Sequence, residues 1–474
     1  KISFQIKKIC CIGAGYVGGP TMAVLADRCK DIKVTLVDIN QKRINAWNDE
    51  DLSNLPVYEP GLKKLIKRNR NKNLFFSCEI AKAIKEADMV FISVNTPTKT
   101  RGFGAGYASD LKWVESSARQ VADFSSGHTI VVEKSTVPVR TAELIQNILR
   151  DSEQNSRYSP DKKRFSVLSS PEFLAEGTAI NDLENPDRVL IGGEDNDAIK
   201  SLSSIYEKWI PAEKILFTNV WSSELSKLTA NAFLAQRLSS INAISALCEA
   251  TGAEISEVAN AIGADKRIGE KFLSSGPGFG GSCFQKDILN LVYLCKYYGL
   301  DKVSGYWEQV LIVNNWQKER IASLIVEKLF GTVTNKKIAL FGFSFKANTN
   351  DTRESPSISI AKDLIENGAN LMINDPQVLP VQIEKELSLE ESKTFSDLEG
   401  GWCFNNNLNE CVKDADAIVI LTAWDEYKEL DFKRLSKLMR KPSWVFDTRK
   451  IISKSSLKGT GIKFWQVGMG IWNP

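Results

Sequence analysis

Short apolar runs alternate with helical patterns through the first half of the chain. Residues 7–12 (KKICCI) form an apolar run that ends at a glycine-rich turn, a helical pattern covers 20–29, and 33–37 (KVTLV) form a second apolar run that ends at Asp38. Further strand-like runs follow at 88–94, 129–133 and 165–168. Buried strands that alternate with helices predict βαβ units and a parallel, doubly wound sheet.

The pattern then changes twice. Long helical patterns cover 222–271, and one further helix is predicted from Asp287 through Trp307 to Leu329. Alternation returns with a strand at 338–345, a helix at 357–368, and strands at 371–375, 417–422 and 444–448, while glycine- and asparagine-containing 390–409 is predicted to be a surface loop or insertion. The predicted fold class is α/β, with two Rossmann-like doubly wound domains (1–220 and 334–474) joined by a long central helical region (221–333).

Length and charge agree with this organisation. A chain of 474 residues is too long to fold around one compact core, so two or three domains are expected. Lys and Arg total 61 against 58 Asp and Glu, a net charge of +3. This balance argues against a nucleic-acid partner, which requires a concentrated basic excess. No apolar run reaches the roughly 18 residues of a membrane span, and the start has no signal-peptide pattern, so no membrane association is expected.

Cysteine and histidine usage narrows the chemistry. The nine cysteines include no C-x-x-C pair and no metal-ligand spacing, which favours reduced thiols in the cytoplasm and no metal site. His128 is the single histidine and precedes an apolar run, so a structural role is expected for it. Dehydrogenases that use a histidine base or histidine-bound zinc are therefore poor candidates, and proton transfer must fall to Lys, Asp, Glu, Cys or water.

The turn after the first predicted strand has the spacing of a dinucleotide-binding motif. Gly13 permits the tight turn, Gly15 allows the backbone to approach a pyrophosphate, and Gly18 allows close packing of helix on strand. Asp38 at the end of the second strand is placed to accept a hydrogen bond from a ribose 2′-hydroxyl. Because its carboxylate would repel a 2′-phosphate, NAD is predicted rather than NADP; Arg43 could lie along the adenosine.

A second glycine-rich segment carries a cysteine. Residues 276–281 contain four glycines, a composition that allows backbone to press against a ligand. Cys283 follows at the predicted start of a helix, where the dipole favours a thiolate, and Asp287 projects from the same face four residues later. This arrangement predicts a nucleophilic cysteine. The alternative is a buried structural cysteine in a glycine-rich hairpin.

The motifs occur in an order that resembles the UDP-glucose/GDP-mannose dehydrogenase family along nearly the whole chain. They are ICCIGAGYVGGPT (9–21), VFISVNTPT (90–98), EKSTVPV (133–139), SSPEFLAEGTAI (169–180), SSELSKLTANAFLAQR (222–237), RIGEKFL (267–273), GFGGSCFQKD (278–287) and FGFSFKANTNDTRES (341–355).

The resemblance implies a four-electron oxidation of UDP-glucose to UDP-glucuronate that yields two NADH. The C6 alcohol is oxidised to an aldehyde, Cys283 forms a thiohemiacetal and then a thioester, and water releases the acid. Lys227 and Asn231 would stabilise the oxyanion. Glu172 would take part in proton transfer, and how that transfer is shared among Glu172, Lys227, Asp287 and water stays open. Two further catalytic positions, which would place the hydrolytic water, are Asp287 and Thr136.

The resemblance also implies two sets of binding residues. The NAD-binding set is Gly13, Gly15, Tyr16, Val17, Gly18, Asp38, Arg43, Thr96, Ser135, Glu176 and Arg353. The substrate-binding set is Glu172, Phe173, Leu174, Lys227, Asn231, Arg267, Phe279, Gly280, Phe345, Lys346 and Arg449. Thr448 stands where relatives usually carry glycine, so the backbone at Arg449 decides whether that arginine can serve.

Several alternatives stay open on the residues alone. Another sugar nucleotide, GDP-mannose or UDP-N-acetylmannosamine, could be the substrate, because these enzymes share the cysteine, lysine and glycine loop. A single-step hydroxyacid dehydrogenase has no need of such a cysteine, and a catalytically inactive NAD-binding protein would have lost it. From its animal members the resemblance implies a homo-oligomer, a hexamer built as a trimer of dimers, with UDP-xylose as feedback inhibitor. Arg267 would reach the neighbouring subunit.

Overall fold

The computed structural model describes residues 4–395 and 400–470, which fall into two compact units. Unit 1 comprises the described residues up to Ala230 together with Leu289–Gly299, and unit 2 comprises Asn231–Ile288 and the described residues from Leu300 onward. Each unit contains one sheet. The α/β fold class with two Rossmann-like sheets is thereby confirmed, whereas the boundaries of the three-domain division stay a prediction.

Unit 1 is built on an eight-stranded sheet with the order β3-β2-β1-β4-β5-β6-β7-β8. Neighbouring strands run parallel except β6 and β7, which pair antiparallel through Ser169 and Gly192. The strands are β1 (Lys8–Ile12), β2 (Lys33–Val37), β3 (Leu74–Ser77), β4 (Met89–Ile92), β5 (His128–Glu133), β6 (Arg164–Ser169), β7 (Val189–Gly192) and β8 (Ile215–Thr218).

Helices cover both faces of this sheet, so the central strands β1, β4 and β5 are buried on two sides. Ile9 and Cys11 belong to one apolar core, and Cys10 and Ile12 belong to another, because successive side chains of β1 point to opposite faces. The helices are α1 (Gly18–Arg28), α2 (Gln41–Asn48), α3 (Leu62–Asn69), α4 (Ile80–Glu86), α5 (Lys112–Phe124), α6 (Thr141–Asn155), α7 (Ala179–Glu184) and α8 (Asn196–Tyr206).

Four helices form the middle of the chain: α9 (Val220–Thr251), α10 (Ile255–Gly263), α11 (Phe284–Tyr297) and α12 (Asp301–Lys328). The first part of α9 belongs to unit 1 and the remainder to unit 2. The single helix predicted over 287–329 is wrong, because α11 and α12 are separate. Gly299 adopts φ +74° between them, a left-handed conformation that ends a helix at low cost.

Unit 2 contains a six-stranded parallel sheet with the order β11-β10-β9-β12-β13-β14. Its strands are β9 (Lys337–Phe341), β10 (Asn370–Asn374), β11 (Gly401–Phe404), β12 (Ala417–Ile420), β13 (Trp444–Asp447) and β14 (Lys463–Gln466). Its further helices are α13 (Pro356–Glu366), α14 (Pro380–Leu387), α15 (Leu408–Val412), α16 (Asp425–Lys428) and α17 (Phe432–Leu438). Short 3₁₀ turns lie at Leu52–Asn54, Ala212–Lys214 and Lys454–Leu457.

Two predictions for the second α/β region are corrected. The loop expected over 390–409 contains strand β11, which pairs with β10 along its length and buries Trp402 completely; residues 396–399 lie outside the described part. A four-residue strand beside an asparagine-rich turn carries too little periodicity to be recognised. The strand predicted to reach residue 345 ends at Phe341, because Gly342 adopts φ +99°.

Candidate active site

The turn between β1 and α1 forms a cradle beside open space. A Cβ on Gly13 would lie 2.2 Å from the carbonyl oxygen of Ser93, and a Cβ on Gly18 would lie 2.0 Å from the carbonyl oxygen of Gly13. Gly15 has no neighbour within 4 Å of the same position. The outer glycines are therefore required by the protein's own packing, whereas Gly15 leaves room for a ligand that approaches the helix N-terminus. This arrangement fits a pyrophosphate.

Asp38 lies at the carboxyl end of β2 and is held by backbone and side chain. Its carboxylate accepts hydrogen bonds from the amides of Ala14 (3.1 Å) and Asn40 (2.8 Å). Arg43 Nη1 lies 3.0 Å from Asp38 Oδ2. The carboxylate is thus fixed at the edge of the glycine turn, where a ribose would reach it, and Arg43 lies against the same group.

The ends of β4 and β5 are joined by hydroxyl groups from the predicted cofactor set. Ser135 donates to the carbonyl oxygen of Val94 over 2.8 Å, and Thr96 donates to that of Thr136 over 2.8 Å. Both hydroxyls are buried. These bonds fix the backbone that follows each strand, at the edge of the parallel sheet where ligands bind in doubly wound folds.

Glu172 follows β6 and is paired with a lysine that the sequence analysis did not select. Lys134 Nζ lies 3.0 Å from Glu172 Oε2, and the two side chains are 3% and 15% exposed. Tyr206 accepts a second hydrogen bond from Lys134 over 3.0 Å. The other Glu172 oxygen, Oε1, accepts from the amide of Phe173 over 3.0 Å. The only local signal for Lys134 was its place in the EKSTVPV motif.

Two cations lie over the ring of Phe173. The Arg188 guanidinium carbon is 3.7 Å from the centre of the Phe173 ring, and Lys227 Nζ is 5.2 Å from it. Lys227 on α9 is only 7% exposed, so it is not a solvated helix lysine. Glu172, Phe173 and Lys227, which the resemblance assigns to the substrate, are therefore grouped in unit 1.

The remainder of the PEFLAEG segment is held by a carboxylate. Glu59 is buried and accepts hydrogen bonds from the amides of Gly177 (2.9 Å) and Ala179 (2.8 Å). Leu174 and Glu176 lie just upstream and are half-buried. Glu59 thereby anchors the loop that carries the predicted substrate and cofactor contacts. No motif in the sequence pointed to this role.

A buried pair of acids, Glu133 and Glu224, lies at the end of β5. Glu224 of α9 accepts hydrogen bonds from the amides of Arg140 (3.0 Å) and Ala142 (2.9 Å) at the start of α6. Burial raises the pKa of the Glu133 carboxyl, the neighbouring Glu224 carboxyl raises it further, and the pKa of Glu224 is also raised by burial. Protonation of Glu133 would let it donate to Glu224 and would avoid two adjacent buried negative charges.

In unit 2, Asn231 and Asp287 form a buried hydrogen-bonded pair. Asn231 Nδ2 donates to Asp287 Oδ2 over 2.6 Å, and Lys286 Nζ lies 3.2 Å from the other carboxylate oxygen. Asp287 is 1% exposed. The oxyanion role expected for Asn231 stays a prediction; in the structure its amide holds Asp287 in place.

Cys283 directly precedes α11, as its sequence context predicted. The amide of Asp287 donates to the carbonyl oxygen of Cys283 over 2.9 Å, so the two residues lie one helical turn apart. Cys283 is half-buried, and Ser282 Oγ lies 3.4 Å from its sulfur. Burial raises the pKa of eight thiols, those of Cys10, Cys11, Cys29, Cys78, Cys248, Cys295, Cys403 and Cys411, which makes them weak nucleophiles.

The glycines before Cys283 pack against protein. A Cβ on Gly280 would lie 2.4 Å from the carbonyl oxygen of Glu354, and one on Gly281 would lie 3.0 Å from the Phe345 ring. The amide of Gly281 donates to the carbonyl oxygen of Arg353 over 2.8 Å. At Gly280 and Gly281, the group that lies too close to admit a side chain belongs to the segment 345–354 (FKANTNDTRE). The close approach predicted from the sequence was to a ligand instead.

The binding residues predicted in the segment 345–354 are held in place by neighbouring side chains. Arg353 forms a two-nitrogen contact with Asp351, with Nη2 2.6 Å from Oδ2, and Lys346 Nζ lies 5.4 Å from the centre of the Phe345 ring. On the other side of the loop, Phe279 exchanges backbone hydrogen bonds of 2.8 and 3.1 Å with the Asn314 side chain. Phe279 and Phe345 thus belong to a preformed region of unit 2.

Arg449 is held by backbone carbonyl groups, and its predicted contact with the substrate stays a prediction. Its guanidinium donates to the carbonyl oxygens of Leu421 (2.7 Å) and Phe345 (3.0 Å). Burial lowers the pKa of Arg449 to about 10, and Asp447 opposes that change. Thr448 is buried with its hydroxyl 2.6 Å from the carbonyl oxygen of Ile420, while the left-handed residue of the turn is Lys450, φ +58°. The threonine therefore does not disturb Arg449.

Arg267 is not brought into either group. Its side chain is 89% exposed and pairs with Asp265, Nη2 to Oδ2 2.6 Å. His128 also lies apart: its Nε2 is 2.9 Å from Ser166 Oγ, and burial lowers the pKa of its imidazole. In the described ranges, no helix is both long and apolar enough to cross a bilayer.

A glycine cradle with an acidic residue at the end of the second strand defines unit 1 as an NAD-binding domain of a dehydrogenase. Models of the UDP-glucose/GDP-mannose dehydrogenase family match in order: the NAD binding domain at 7–210, the central domain at 221–316 and the UDP binding domain at 339–454. The chain belongs to this family.

Curated relatives span nearly the whole chain. It is 55% identical to UDP-glucose 6-dehydrogenase of Bos taurus over 471 residues, which cover 98% of this chain and 94% of that protein. It is 53% identical to UDP-glucose 6-dehydrogenase 3 of Arabidopsis thaliana, with 97% of each covered. A solved UDP-glucose dehydrogenase from Pyrobaculum islandicum matches with a TM-score of 0.82, 28% identity and 99% coverage of both chains.

Proposed function

We propose that this chain oxidises UDP-glucose to UDP-glucuronate with two molecules of NAD and that Cys283 carries the substrate covalently between the two oxidations. The observation that supports the covalent route best is local to unit 2. A half-exposed cysteine precedes a helix, and a buried carboxylate lies one turn further along, held by Asn231. The substrate is proposed from the curated relatives, whose printed names specify UDP-glucose.

The cofactor half of the reaction is proposed for unit 1. Gly15 and the start of α1 would hold the pyrophosphate, and Asp38 would hold the adenosine ribose. Bound NAD supplies the acceptor for the hydride that leaves carbon in each oxidation. Thr96 and Ser135, which lie in the segments that follow β4 and β5, would line the cofactor side of the site. Four further cofactor contacts are proposed at Tyr16, Val17, Glu176 and Arg353.

The substrate would then pass through two oxidations and one hydrolysis, with Cys283 as its point of covalent attachment. In the first oxidation the C6 alcohol loses a proton and a hydride and becomes an aldehyde. The Cys283 thiolate adds to the aldehyde carbon, and the oxyanion takes up a proton to give a thiohemiacetal. The thiohemiacetal then loses a proton and a second hydride and becomes a thioester. Water attacks the thioester, breaks the carbon–sulfur bond and gives the acid and the free thiol.

Charge and proton transfer are proposed for the side chains around these steps. Lys227 is buried and cationic, and it would stabilise the oxyanion together with Asn231. Glu172 would transfer the proton, since it is an anchored carboxylate near Lys227. Asp287 would activate the hydrolytic water, with Thr136 placing that water.

The nucleotide half of the substrate is proposed for the UDP binding domain. Phe345, Lys346 and Arg449 lie together in unit 2, and the two cations suit a diphosphate. Phe279 and Gly280 complete this preformed region. Phe173 and Leu174 in unit 1 are proposed for the sugar side.

Product stoichiometry tests this proposal. Purified protein would be supplied with NAD and, separately, UDP-glucose, GDP-mannose and UDP-N-acetylmannosamine, and NADH would be counted per sugar consumed. We expect two NADH per UDP-glucose and UDP-glucuronate as the product. One NADH with accumulating aldehyde would contradict the covalent mechanism, and preferential use of another sugar would contradict the substrate assignment.

We further propose a cytoplasmic homo-oligomer, a hexamer assembled as a trimer of dimers, that is inhibited by UDP-xylose. All nine cysteines lie in the described part of the chain and have free thiols, which supports a reducing compartment. Exposed apolar side chains on the central helices support subunit contact; they are Phe233, Ile244, Leu247, Tyr306, Ile312 and Trp316.

Exposed Arg267 provides the test of assembly, because it would act in the neighbouring subunit. Chains with Arg267→Ala and chains with Cys283→Ala would be mixed under conditions that permit exchange, with each variant alone as the control. We expect partial recovery of activity in the mixture. Proven mixed oligomers without recovery would contradict the trans role. Inhibition by UDP-xylose would be measured on the same preparation.

A further inference from the structure

Lys134 is a buried cation at the point where β5 leaves the sheet. Its backbone amide donates to the carbonyl oxygen of Ile92 over 2.9 Å, so the main chain is fixed to the end of β4. Its Nζ lies 3.0 Å from Glu172 Oε2 and 3.0 Å from the Tyr206 hydroxyl. An ammonium group can be held in such a site only when it is paired and hydrogen-bonded.

We propose that Lys134 is a positioning residue that fixes the Glu172 carboxylate for proton transfer in the oxidation. The inference rests on the proposed catalytic role of Glu172. Lys134 holds Oε2 while the amide of Phe173 holds Oε1, so both carboxylate oxygens have a fixed partner. Lys134 is also followed directly by Ser135 and Thr136, so one short segment would connect the carboxylate with the cofactor side.

The electrostatics agree with this geometry. Burial by itself lowers the pKa of Lys134, but the nearby Glu172 carboxylate and Tyr206 hydroxyl outweigh it and raise that pKa. The lysine therefore stays charged throughout the working pH range. Its ammonium group therefore remains a charged donor 3.0 Å from the Glu172 carboxylate.

Other titratable groups surround Lys134 and Glu172, and a substitution at Lys134 would change their electrostatic environment as well. They are Tyr206 of α8, Arg188 before β7 with its neighbour Asp187, Lys227 of α9, and Cys11 of β1. Lys134 is distinguished among the cations by its direct contact with Glu172. Loss of this contact is therefore expected to leave the Glu172 carboxylate less well fixed.

The test compares pH profiles. Lys134→Met removes the charge, Lys134→Arg retains it, and Lys163→Met is a matched control. Lys163 is another lysine of unit 1, whose Nζ caps the carbonyl oxygens of Ala122 and Asp123. The initial rate of NADH formation with UDP-glucose would be measured from acidic to alkaline pH.

We expect Lys134→Met to lower kcat at least about tenfold across the pH range, with a much smaller change in KM. Lys134→Arg should restore most of the lost kcat. Lys163→Met should lower stability without lowering kcat. Near-normal kcat for Lys134→Met at every pH would overturn the inference.

A second comparison removes both charges and does not depend on the folding of the single variant. Lys134→Met/Glu172→Gln should be no slower than Glu172→Gln alone, because Lys134 would act through Glu172. A clearly slower double variant would show that Lys134 acts by another route and would overturn the inference. Near-normal activity of Glu172→Gln would instead contradict the proposed role of Glu172, so the two failures are distinguishable.

Discussion

The Asp287 carboxylate offers the sharpest test of how the thioester would be released. Asp287→Asn keeps the shape of the side chain and removes the negative charge. In the structure the two carboxylate oxygens accept from Asn231 at 2.6 Å and face Lys286 at 3.2 Å. The introduced amide can keep its oxygen towards Asn231, but its NH₂ group would then face the lysine ammonium. About one hydrogen bond to a charged group is therefore lost.

Asp287→Asn is expected to change stability only modestly and turnover strongly. One such hydrogen bond contributes about 1.5–3 kcal/mol, and relief of burying a charge offsets part of the loss. The free energy of unfolding should consequently fall by less than about 3 kcal/mol. A general base contributes roughly 10²–10⁴-fold to the step it serves. Steady-state turnover should fall by that factor in the folded variant.

Rapid mixing resolves the step that is affected. With saturating NAD and UDP-glucose, Asp287→Asn should release close to two NADH per active site in a fast phase and then turn over slowly. Intact-protein mass spectrometry during the slow phase should find an acyl-sugar adduct on Cys283. Lys286→Met, which leaves the carboxylate in place, is the matched control and should show no such accumulation.

Either of two results would contradict a role for Asp287 in thioester hydrolysis. Unchanged turnover in Asp287→Asn would make the carboxylate a structural partner of Asn231. Equal slowing of the fast and slow phases, without an adduct, would place the action of Asp287 before thioester formation.

Three further predictions concern other parts of the molecule. Cys283→Ser should lose turnover by several orders of magnitude yet still bind NAD and UDP-glucose, because its hydroxyl offers almost no anionic nucleophile; near-normal UDP-glucuronate formation by Cys283→Ala would overturn the covalent route. Asp38→Asn should narrow the preference for NAD over NADP, measured as the ratio of kcat/KM values, and an unaltered ratio would exclude Asp38 from ribose selection. Glu133→Gln should flatten the pH dependence of stability. Since the pKa of Glu133 is raised in the folded state, its contribution is fully present below its unfolded pKa near 4.5 and is lost as pH rises through the folded value. Denaturant unfolding at a series of pH values measures this slope, and identical slopes in wild type and variant would contradict the assignment.

The features found from sequence alone are those with local causes. The first βαβ unit was predictable because apolar runs, a glycine turn and Asp38 lie close together in the chain. Cys283 and Asp287 could be placed on one face because helical spacing relates residues four positions apart. Motif order then indicated the family and the residues proposed for catalysis.

Local patterns also failed for identifiable reasons. The break at Gly299 was missed because apolar periodicity continues on both sides of it. Strand β11 was missed because a short edge strand acquires its identity from pairing with β10 rather than from its own four residues.

What the sequence determined by itself is the fold class, the NAD-type turn and the candidate nucleophile, because these depend on residues near one another in the chain. Only the tertiary structure decided which distant groups meet. The pairing of Lys134 with Glu172, of Asn231 with Asp287 and of Glu133 with Glu224 depends on which strand ends and helix faces become neighbours. Single residues in a sequence carry no record of their partner, and burial makes each of these partners decisive because an unpaired charge or polar group in the interior is costly.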